Sequence, residues 1–201
     1  MEYVLSFVLG YLLGSISFSY LFGRWFSGID IRKHGSGNAG ATNTLRVMGT
    51  GPAVTVLALD IGKGVLAVWI GWWIQPEQIW LPILAGLAVI IGHNWPVFFS
   101  FRGGKGIATT IGVVATICFF PGLVAGLIGI AAIILTRFVS LGSLLFTILL
   151  PFSLWIFQPA DLALIGFSIL IALLSIYRHR GNIRKLMQGK ENKLSFRRGS
   201  N

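Results

Sequence analysis

"LIGIAAIIL", residues 127–135, carries no polar side chain, and its apolar residues do not alternate with polar ones. Strands of a membrane β-barrel alternate lipid-facing and lumen-facing residues, whereas an uninterrupted apolar run is typical of a membrane helix. Similar runs follow one another along the 201 residues, which are 55% hydrophobic and 11% charged. Soluble domains carry about 25% charged residues. The sequence therefore predicts an all-α integral membrane protein, with residues 1–201 forming a single polytopic domain.

Short polar breaks divide the apolar sequence into about seven predicted transmembrane helices. The first begins after Glu2, where a signal peptide would carry basic residues, and no small-residue cleavage site follows, so we interpret it as a retained helix. Pro121 separates two short spans; treating them as one re-entrant hairpin leaves five full spans with the same sidedness. The seven predicted spans cover residues 3–23, 52–73, 78–96, 106–120, 121–136, 140–157 and 161–177.

The basic residues indicate how the chain crosses the membrane. Every Lys and Arg except Lys63 lies in polar segments that fall on one side if the N-terminus is outside. Those segments are 24–50, 97–105, 137–139 and the basic tail 178–201. Because cytoplasmic loops are enriched in Lys and Arg, we predict an outside N-terminus and a cytoplasmic C-terminus. The net charge of +10 then reflects topology and attraction to anionic lipid headgroups, and it does not indicate nucleic-acid binding.

Three polar, glycine-rich stretches fall on the predicted cytoplasmic side, and we name them the first (35–43), second (92–106) and third (178–192) polar stretches. A transporter is expected to offer polar groups to its substrate from both faces, near the bilayer midplane. Chemistry on one face suits an enzyme that acts on a lipid-like substrate. A transporter or flippase of an anionic lipid precursor remains the alternative.

The first two stretches have features of anion-binding sites. Glycines let backbone N–H groups converge on an anion, and Lys105 precedes a predicted helix whose N-terminal dipole favours negative charge. In the first stretch Ser36 and Asn38 are donors, and Thr42 or Asn43 is expected to cap a short helix. Arg46 would project from that helix. "RGGKG" at 102–106 is not a P-loop, since Gly follows its Lys, and glycines also suit simple tight turns.

Familiar catalytic groups are missing from the sequence. Acyl-CoA-dependent glycerolipid acyltransferases resemble one another in an HX4D pair, but no Asp occupies the fifth position after His34, His93 or His179. There is no GXSXG motif, and the single Cys118 lies in an apolar segment. Neither a metal site nor a cofactor is expected. A protein with phosphate-binding features and no nucleophile is expected to use a substrate that arrives already activated.

The polar stretches carry a family resemblance. "GSGNAGATN" followed by "LR", "GHNWPVFFSFRGGKGIAT", and "RHRGNI" with a later Glu are similar to the three signature loops of the bacterial acyl-phosphate-dependent glycerol-3-phosphate acyltransferases, the PlsY family. The similarity extends through nearly the whole chain, including "LDIGKG" at 59–64, although residues 193–201 match no pattern of that family. It implies transfer of an acyl group from acyl phosphate to the 1-hydroxyl of sn-glycerol 3-phosphate, giving lysophosphatidic acid and phosphate. It also implies a bacterial plasma membrane protein whose active site faces the cytoplasm.

The resemblance implies roles for individual residues. Ser36, His179 and Asn182 are the expected catalytic residues, and Glu191 is expected to be structural. Taken together with the anion-binding features of the first two stretches, the resemblance gives a set of expected substrate-binding residues: Ser36, Gly37, Asn38, Thr42, Asn43, Arg46, Gly103, Gly104, Lys105, Gly106, His179 and Asn182. Expected partners are acyl phosphate, sn-glycerol 3-phosphate and membrane lipids.

Acyl phosphate is a mixed anhydride with a good leaving group, so no acyl-enzyme is needed. Arg46 and Lys105 would then counter phosphate charge, while Asn182 would polarise the carbonyl. Either His179 or a substrate phosphate oxygen accepts the proton. The second alternative is favoured, because "RHR" surrounds His179 with positive charge.

Two features within the predicted spans favour structural roles. Asp60 and Lys63 are one helical turn apart, which predicts an intramembrane ion pair. Gly122 and Gly126 form a GxxxG motif, which predicts a close helix–helix contact inside a monomer.

Overall fold

The computed structural model describes residues 1–194, and every regular element within them is helical. The last residues of the predicted basic tail, 195–201, lie outside the described part. Two single-turn 3-10 helices cover Ile31–Lys33 and Val97–Phe99. The α-helices are α1 (Glu2–Gly14), α2 (Phe18–Ser27), α3 (Ala41–Met48), α4 (Thr50–Ile74), α5 (Trp80–Asn94), α6 (Ile107–Ile117), α7 (Phe119–Thr136), α8 (Val139–Phe157), α9 (Leu162–Arg178) and α10 (Arg180–Met187).

The helices confirm the predicted all-α membrane fold. Five segments are long and apolar enough to cross a bilayer: Glu2–Ser27, Thr50–Ile74, Trp80–Phe99, Phe119–Thr136 and Val139–Phe157. A sixth is obtained if α9 and α10, which are bent by 63° relative to each other, count as one span. Helix α6 occupies the fourth predicted position but has only 11 residues. The number of spans and their sidedness therefore stay predictions.

The described chain divides into two compact units, Met1–Val113 and Val114–Leu194, with the boundary inside α6. That residues 1–201 form one domain remains a prediction.

In the first unit, α1 packs against α4 and α5. The contact with α5 depends on small residues four apart in α1: a side chain on Gly10 would lie 2.6 Å from the carbonyl oxygen of Ala85. One turn earlier, the Ser6 hydroxyl donates to the carbonyl of Leu81 at 2.9 Å. Small residues allow this close backbone approach.

The first span is broken at residues 15–17, between α1 and α2. A break leaves backbone carbonyls without helical partners, and such groups are costly away from water. The Lys63 ammonium of α4 donates to the carbonyls of Gly14 and Ile16 at 3.1 and 2.8 Å. Lys63 also lies 2.8 Å from Asp60, so the ion pair expected from their spacing is present, with both side chains 1% exposed.

In the second unit, α8 packs against both α7 and α9. The closest approach of α7 to α8 is at Gly129 and Gly142, where an added side-chain carbon on Gly129 would lie 2.7 Å from the Gly142 carbonyl oxygen. Gly126 of the predicted GxxxG motif faces the Phe146 ring from one turn earlier. The glycines of α7 therefore make a helix–helix contact within the chain, centred one turn beyond the predicted motif.

Candidate active site

The first polar stretch is organised by the side chain of Asn43. Its Oδ1 accepts the backbone N–H of Ser36 at 2.8 Å, and its Nδ2 donates to the carbonyls of Ile31 and His34 at 3.2 and 3.0 Å. The expectation that Thr42 or Asn43 caps the short helix is wrong. Helix α3 begins at Ala41 with Gly40 as its N-cap, so both residues lie inside the helix. Asn43 is buried there, and its amide holds the loop backbone.

The loop that Asn43 holds has the left-handed turns that its glycines predict. Gly35 and Gly37 have φ of +59° and +73°, a region that residues with a side chain rarely adopt. Ser36 is exposed between them, and Asn38 is half-buried. Among residues 1–194 the Ser36 hydroxyl has no hydrogen-bond partner.

Arg46 projects from α3 as the sequence predicts. Its side chain is half-buried, and within the described part of the chain it forms no ion pair or hydrogen bond. Arginine binds phosphate and carboxylate through planar pairs of N–H donors. Arg46 is therefore a cation whose charge no acidic residue of the described chain neutralises.

A second arginine, Arg32, joins the first polar stretch to the second. Its guanidinium donates to both carboxylate oxygens of Asp30 at 2.9 Å and to the carbonyl of Phe99 at 2.8 Å. These hydrogen bonds lower the pKa of the Asp30 carboxyl from 3.8 to about 2. This pair was not predicted, although the sequence places Asp30 two residues before Arg32. We assign Arg32 to the architecture of the loops.

The second polar stretch packs its glycines against His93, at the end of α5. The Gly104 N–H donates to the His93 carbonyl at 3.1 Å. A side-chain carbon on Gly104 would collide with the His93 ring at Nε2 and would lie 2.6 Å from the Ala39 carbonyl oxygen. From the sequence, Gly104 was predicted only to let a ligand approach the backbone. In the structure Gly104 is also the point where the first and second polar stretches touch, so a methyl group there would disturb the protein itself.

The end of "RGGKG" has the predicted form of a helix start. Gly106 has φ of +79°, and its carbonyl accepts the N–H of Thr110 at 2.7 Å in the first turn of α6. Lys105 is half-buried immediately before this helix. The placement of Lys105 and Gly106 at the N-terminal end of α6 is the geometry that an anion-binding helix start requires.

In the second unit, the third polar stretch places His179 where α9 ends and Asn182 within α10. The Asn182 Nδ2 donates to Glu191 Oε1 at 2.7 Å, and the same oxygen accepts from the Ser140 hydroxyl at 3.0 Å. Glu191 therefore ties α10 to the start of α8. The contribution of Ser140 gave no signal in the sequence.

His179 is buried, and its Nδ1 lies 2.9 Å from the Ser175 carbonyl oxygen. Since a carbonyl oxygen only accepts hydrogen bonds, Nδ1 carries the hydrogen, and in the neutral ring Nε2 carries the lone pair. The ring orientation is thus set by its own helix.

A cleft of about 360 Å³ opens beside these residues, and it is rich in positive charge. Its lining residues are Arg178, Arg180, Gly181, Asn182 and Arg184. Arg180 donates to the Tyr177 carbonyl at 3.0 Å and lies 4.5 Å from the Tyr177 ring centre. No group of three or more His, Cys, Asp or Glu side chains among residues 1–194 is arranged to hold a metal ion.

The structure therefore groups the predicted residues within each unit. In the first unit the contact between Gly104 and Ala39 joins the first and second polar stretches. In the second unit, the hydrogen bond to Glu191 fixes Asn182 within the helix that follows His179.

The whole chain resembles characterised proteins. A sequence model described as glycerol-3-phosphate acyltransferase matches residues 4–189. A glycerol-3-phosphate acyltransferase of Shouchella clausii (strain KSM-K16) is 54% identical over 192 residues, covering 92% of each chain. One of Halalkalibacterium halodurans is 54% identical over 190 residues, covering 92% of this chain and 91% of the relative.

Two crystal structures of PlsY (YgiH), an integral membrane glycerol 3-phosphate acyltransferase, have the same fold at 36% identity. The glycerol 3-phosphate form has a TM-score of 0.89 and covers 97% of this chain and 96% of that chain. The lysophosphatidic acid form has a TM-score of 0.86 and covers 98% and 97%. The fold and the polar stretches define a helical integral membrane protein of the acyltransferase class. The chain belongs to the glycerol-3-phosphate acyltransferase family of enzymes.

Proposed function

We propose that this enzyme takes its acyl group from an acyl phosphate and transfers it to the 1-hydroxyl of sn-glycerol 3-phosphate. The hydroxyl oxygen attacks the acyl carbonyl carbon, the bond from that carbon to the phosphate oxygen breaks, and lysophosphatidic acid and inorganic phosphate are formed. Family membership supports the acceptor, and the solved relative was crystallised in glycerol 3-phosphate and lysophosphatidic acid forms.

The family resemblance of the polar stretches and the missing HX4D pair carry the assignment of the donor, and the nucleophiles of the described chain agree with direct transfer. Ser175 is a serine in contact with a histidine, and its hydroxyl lies 3.4 Å from His179 Nδ1. That nitrogen donates to the Ser175 carbonyl and cannot take the hydroxyl proton. Cys118 is buried, and the exposed Ser36 has no basic partner in the described chain. Without an activated nucleophile, the acyl group is expected to pass directly from an activated donor to the acceptor, with no acyl-enzyme. A thioester would also meet this requirement, so the choice of acyl phosphate rests on the family resemblance and on the missing HX4D pair.

Binding two anions close together is then the main task of the site. Arg46 and Lys105 supply positive charge, Ser36 and Asn38 supply donors for the acyl phosphate head, and the glycines at 103–106 serve glycerol 3-phosphate. His179 and Asn182 are assigned to the same reaction through the family resemblance. Correct positioning of two reactants contributes up to about 7–11 kcal/mol to lowering a barrier.

The third polar stretch supplies Asn182 and His179 to the proposed reaction. One Asn182 amide hydrogen is bonded to Glu191, and the proposed role of the other is to polarise the acyl carbonyl. We assign the hydroxyl proton to a substrate phosphate oxygen, because Arg178 and Arg180 flank His179 and disfavour a further positive charge on its ring. With Nδ1 bonded to Ser175, the alternative base would be His179 Nε2.

We further propose that the protein works as a monomer in the bacterial plasma membrane, with the polar stretches facing the cytoplasm. The segregation of Lys and Arg residues supports this orientation. It also places the site on the side where a water-soluble acceptor is available.

The test is an assay of the purified protein with glycerol 3-phosphate and each of three donors: acyl phosphate, acyl-CoA and acyl carrier protein. Phosphate release matched by lysophosphatidic acid with acyl phosphate alone is expected, and Cys118→Ala should retain near-normal turnover. Efficient use of acyl-CoA, or an acyl-protein adduct detected by mass spectrometry with donor alone, would contradict the proposal. Uptake of an anionic lipid precursor into proteoliposomes without product would instead favour a transporter or flippase.

A further inference from the structure

The buried charges of the first unit form a network that reaches the second polar stretch. Asp60 Oδ1 lies 2.8 Å from Lys63 Nζ and 3.4 Å from His93 Nδ1, and all three side chains are buried. A carboxylate beside Nδ1 favours a hydrogen on that nitrogen. Asp60 therefore biases both the tautomer and the orientation of the His93 ring.

Lys63 holds this carboxylate in place. Its ammonium is fixed by the carbonyls of Gly14 and Ile16 at the break in the first span, 3.1 and 2.8 Å away. Lys63 donates hydrogen bonds to these two carbonyls and forms an ion pair with Asp60, so its buried charge is balanced. Asp60 is consequently held in place by Lys63, which is itself bound to the carbonyls at the break between α1 and α2.

At the other end, His93 contacts two consecutive glycines with different parts of its structure. Its carbonyl accepts the Gly104 N–H at 3.1 Å, and side-chain atoms added to Gly103 would collide with that carbonyl. Its ring edge, from Nε2 to Cδ2, lies where a side chain of Gly104 would be. The backbone of Gly103 and Gly104 is therefore packed directly against the ring and the carbonyl of His93.

We propose that His93 is a positioning residue for glycerol 3-phosphate: Asp60, held by Lys63, orients its ring, and the ring and carbonyl hold the Gly103–Gly104 backbone in its binding conformation. This inference rests on the proposed role of the second polar stretch in acceptor binding. It assigns the intramembrane ion pair a role in substrate affinity as well as in stability.

The test measures direct binding of radiolabelled glycerol 3-phosphate to purified protein, together with the KM values for both substrates. His93→Ala should raise the dissociation constant for glycerol 3-phosphate about tenfold, while the KM for acyl phosphate changes less than about twofold. Asp60→Asn should raise the same dissociation constant in the wild-type background and add nothing in the His93→Ala background. The matched control is His34→Ala, since that side chain is exposed; it should bind as the wild type does.

Asp60→Asn leaves Lys63 buried without its counter-charge. The comparison of the wild-type and His93→Ala backgrounds is therefore repeated with the Asp60→Asn/Lys63→Met double variant, which removes both charges. Additive effects of the Asp60 and His93 changes would overturn the inference. So would a His93→Ala protein that has a lowered Tm but binds glycerol 3-phosphate normally, or one whose two KM values rise equally. The binding measurement needs no acyl donor, so a failure of acyl phosphate as donor would refute the proposed function and leave this result standing.

Discussion

Asn43 Oδ1 accepts the backbone N–H of Ser36 at 2.8 Å, so the exposed serine of the first polar stretch is positioned by a residue inside the following helix. The other end of the same amide holds two further carbonyls of the loop. The position of Ser36 therefore depends on one buried side chain with both a donor and an acceptor end.

Asn43→Asp keeps the size of the side chain and removes the donors. We expect the free energy of unfolding to fall by about 2 kcal/mol or more, because a carboxylate would face the carbonyls of Ile31 and His34. The kcat/KM should fall about tenfold or more as Ser36 shifts. Thermal unfolding in detergent and the transfer assay measure the two effects. Asn192→Asp, at an exposed position, should be neutral, and an Asn43→Asp protein as stable and active as the wild type would contradict the hydrogen-bond assignment.

Gly104→Ala should separate the first two polar stretches, since the added methyl group meets the His93 ring and the Ala39 carbonyl. The expected result is a lower Tm and a higher KM for glycerol 3-phosphate. Gly62→Ala is the matched control, because nothing lies within 4 Å of a side chain there and alanine is favoured in a helix by about 1 kcal/mol. A change in ligand affinity at Gly104 without any loss of Tm would show that the methyl group acts on the ligand alone.

Glu191→Gln and Glu191→Ala should differ in their effect on activity. The glutamine oxygen can still accept from Asn182 and Ser140, whereas alanine leaves both donors without this acceptor. We expect Glu191→Ala to lower kcat/KM about tenfold or more and Glu191→Gln to lower it much less. The loss should vanish when Glu191→Ala is made in an Asn182→Ala background. Equal losses in both backgrounds would show that Glu191 does not act through Asn182.

The Asp30–Arg32 pair should make stability depend on pH in the acid range. The pKa of the Asp30 carboxyl is about 2 in the folded protein, below its ordinary value of 3.8. The folded state thus favours the ionised form, and the pair's contribution is complete above about pH 4 and is lost as the pH falls towards 2. The Tm difference between wild type and Asp30→Asn, measured between pH 6 and pH 2, should shrink over that interval. A difference that is constant with pH would refute the assignment.

Membrane sidedness can be measured with single cysteines in a Cys118→Ala background. His34→Cys and Asn192→Cys should resist membrane-impermeant thiol reagents in intact cells, because they lie in the basic segments 24–50 and 178–201. Ala160→Cys, between α8 and α9, should react as the positive control. Ready labelling of either basic segment would overturn the predicted topology and the cytoplasmic site.

The sequence by itself determined the all-α class and the order of the polar stretches, but it did not reveal the break at residues 15–17 or the short length of α6. Apolar runs bounded by polar breaks are local, and the bilayer requires each run to satisfy its own backbone hydrogen bonds. Local spacing was also sufficient for the Asp60–Lys63 pair and for the helix that starts after Gly106, since both depend on residues close in sequence. The same local reasoning failed at Asn43, because its capping role was inferred without the buried carbonyls that it binds.

Only the tertiary structure decided which distant groups meet. The contacts between His93 and Asp60, Gly104 and Ala39, Arg32 and Phe99, and Ser140 and Glu191 each join residues more than thirty positions apart. Such contacts exist because small residues such as Gly10 let helices approach closely, and because buried polar groups must find partners wherever the chain brings them. Neither requirement leaves a periodic pattern in the sequence.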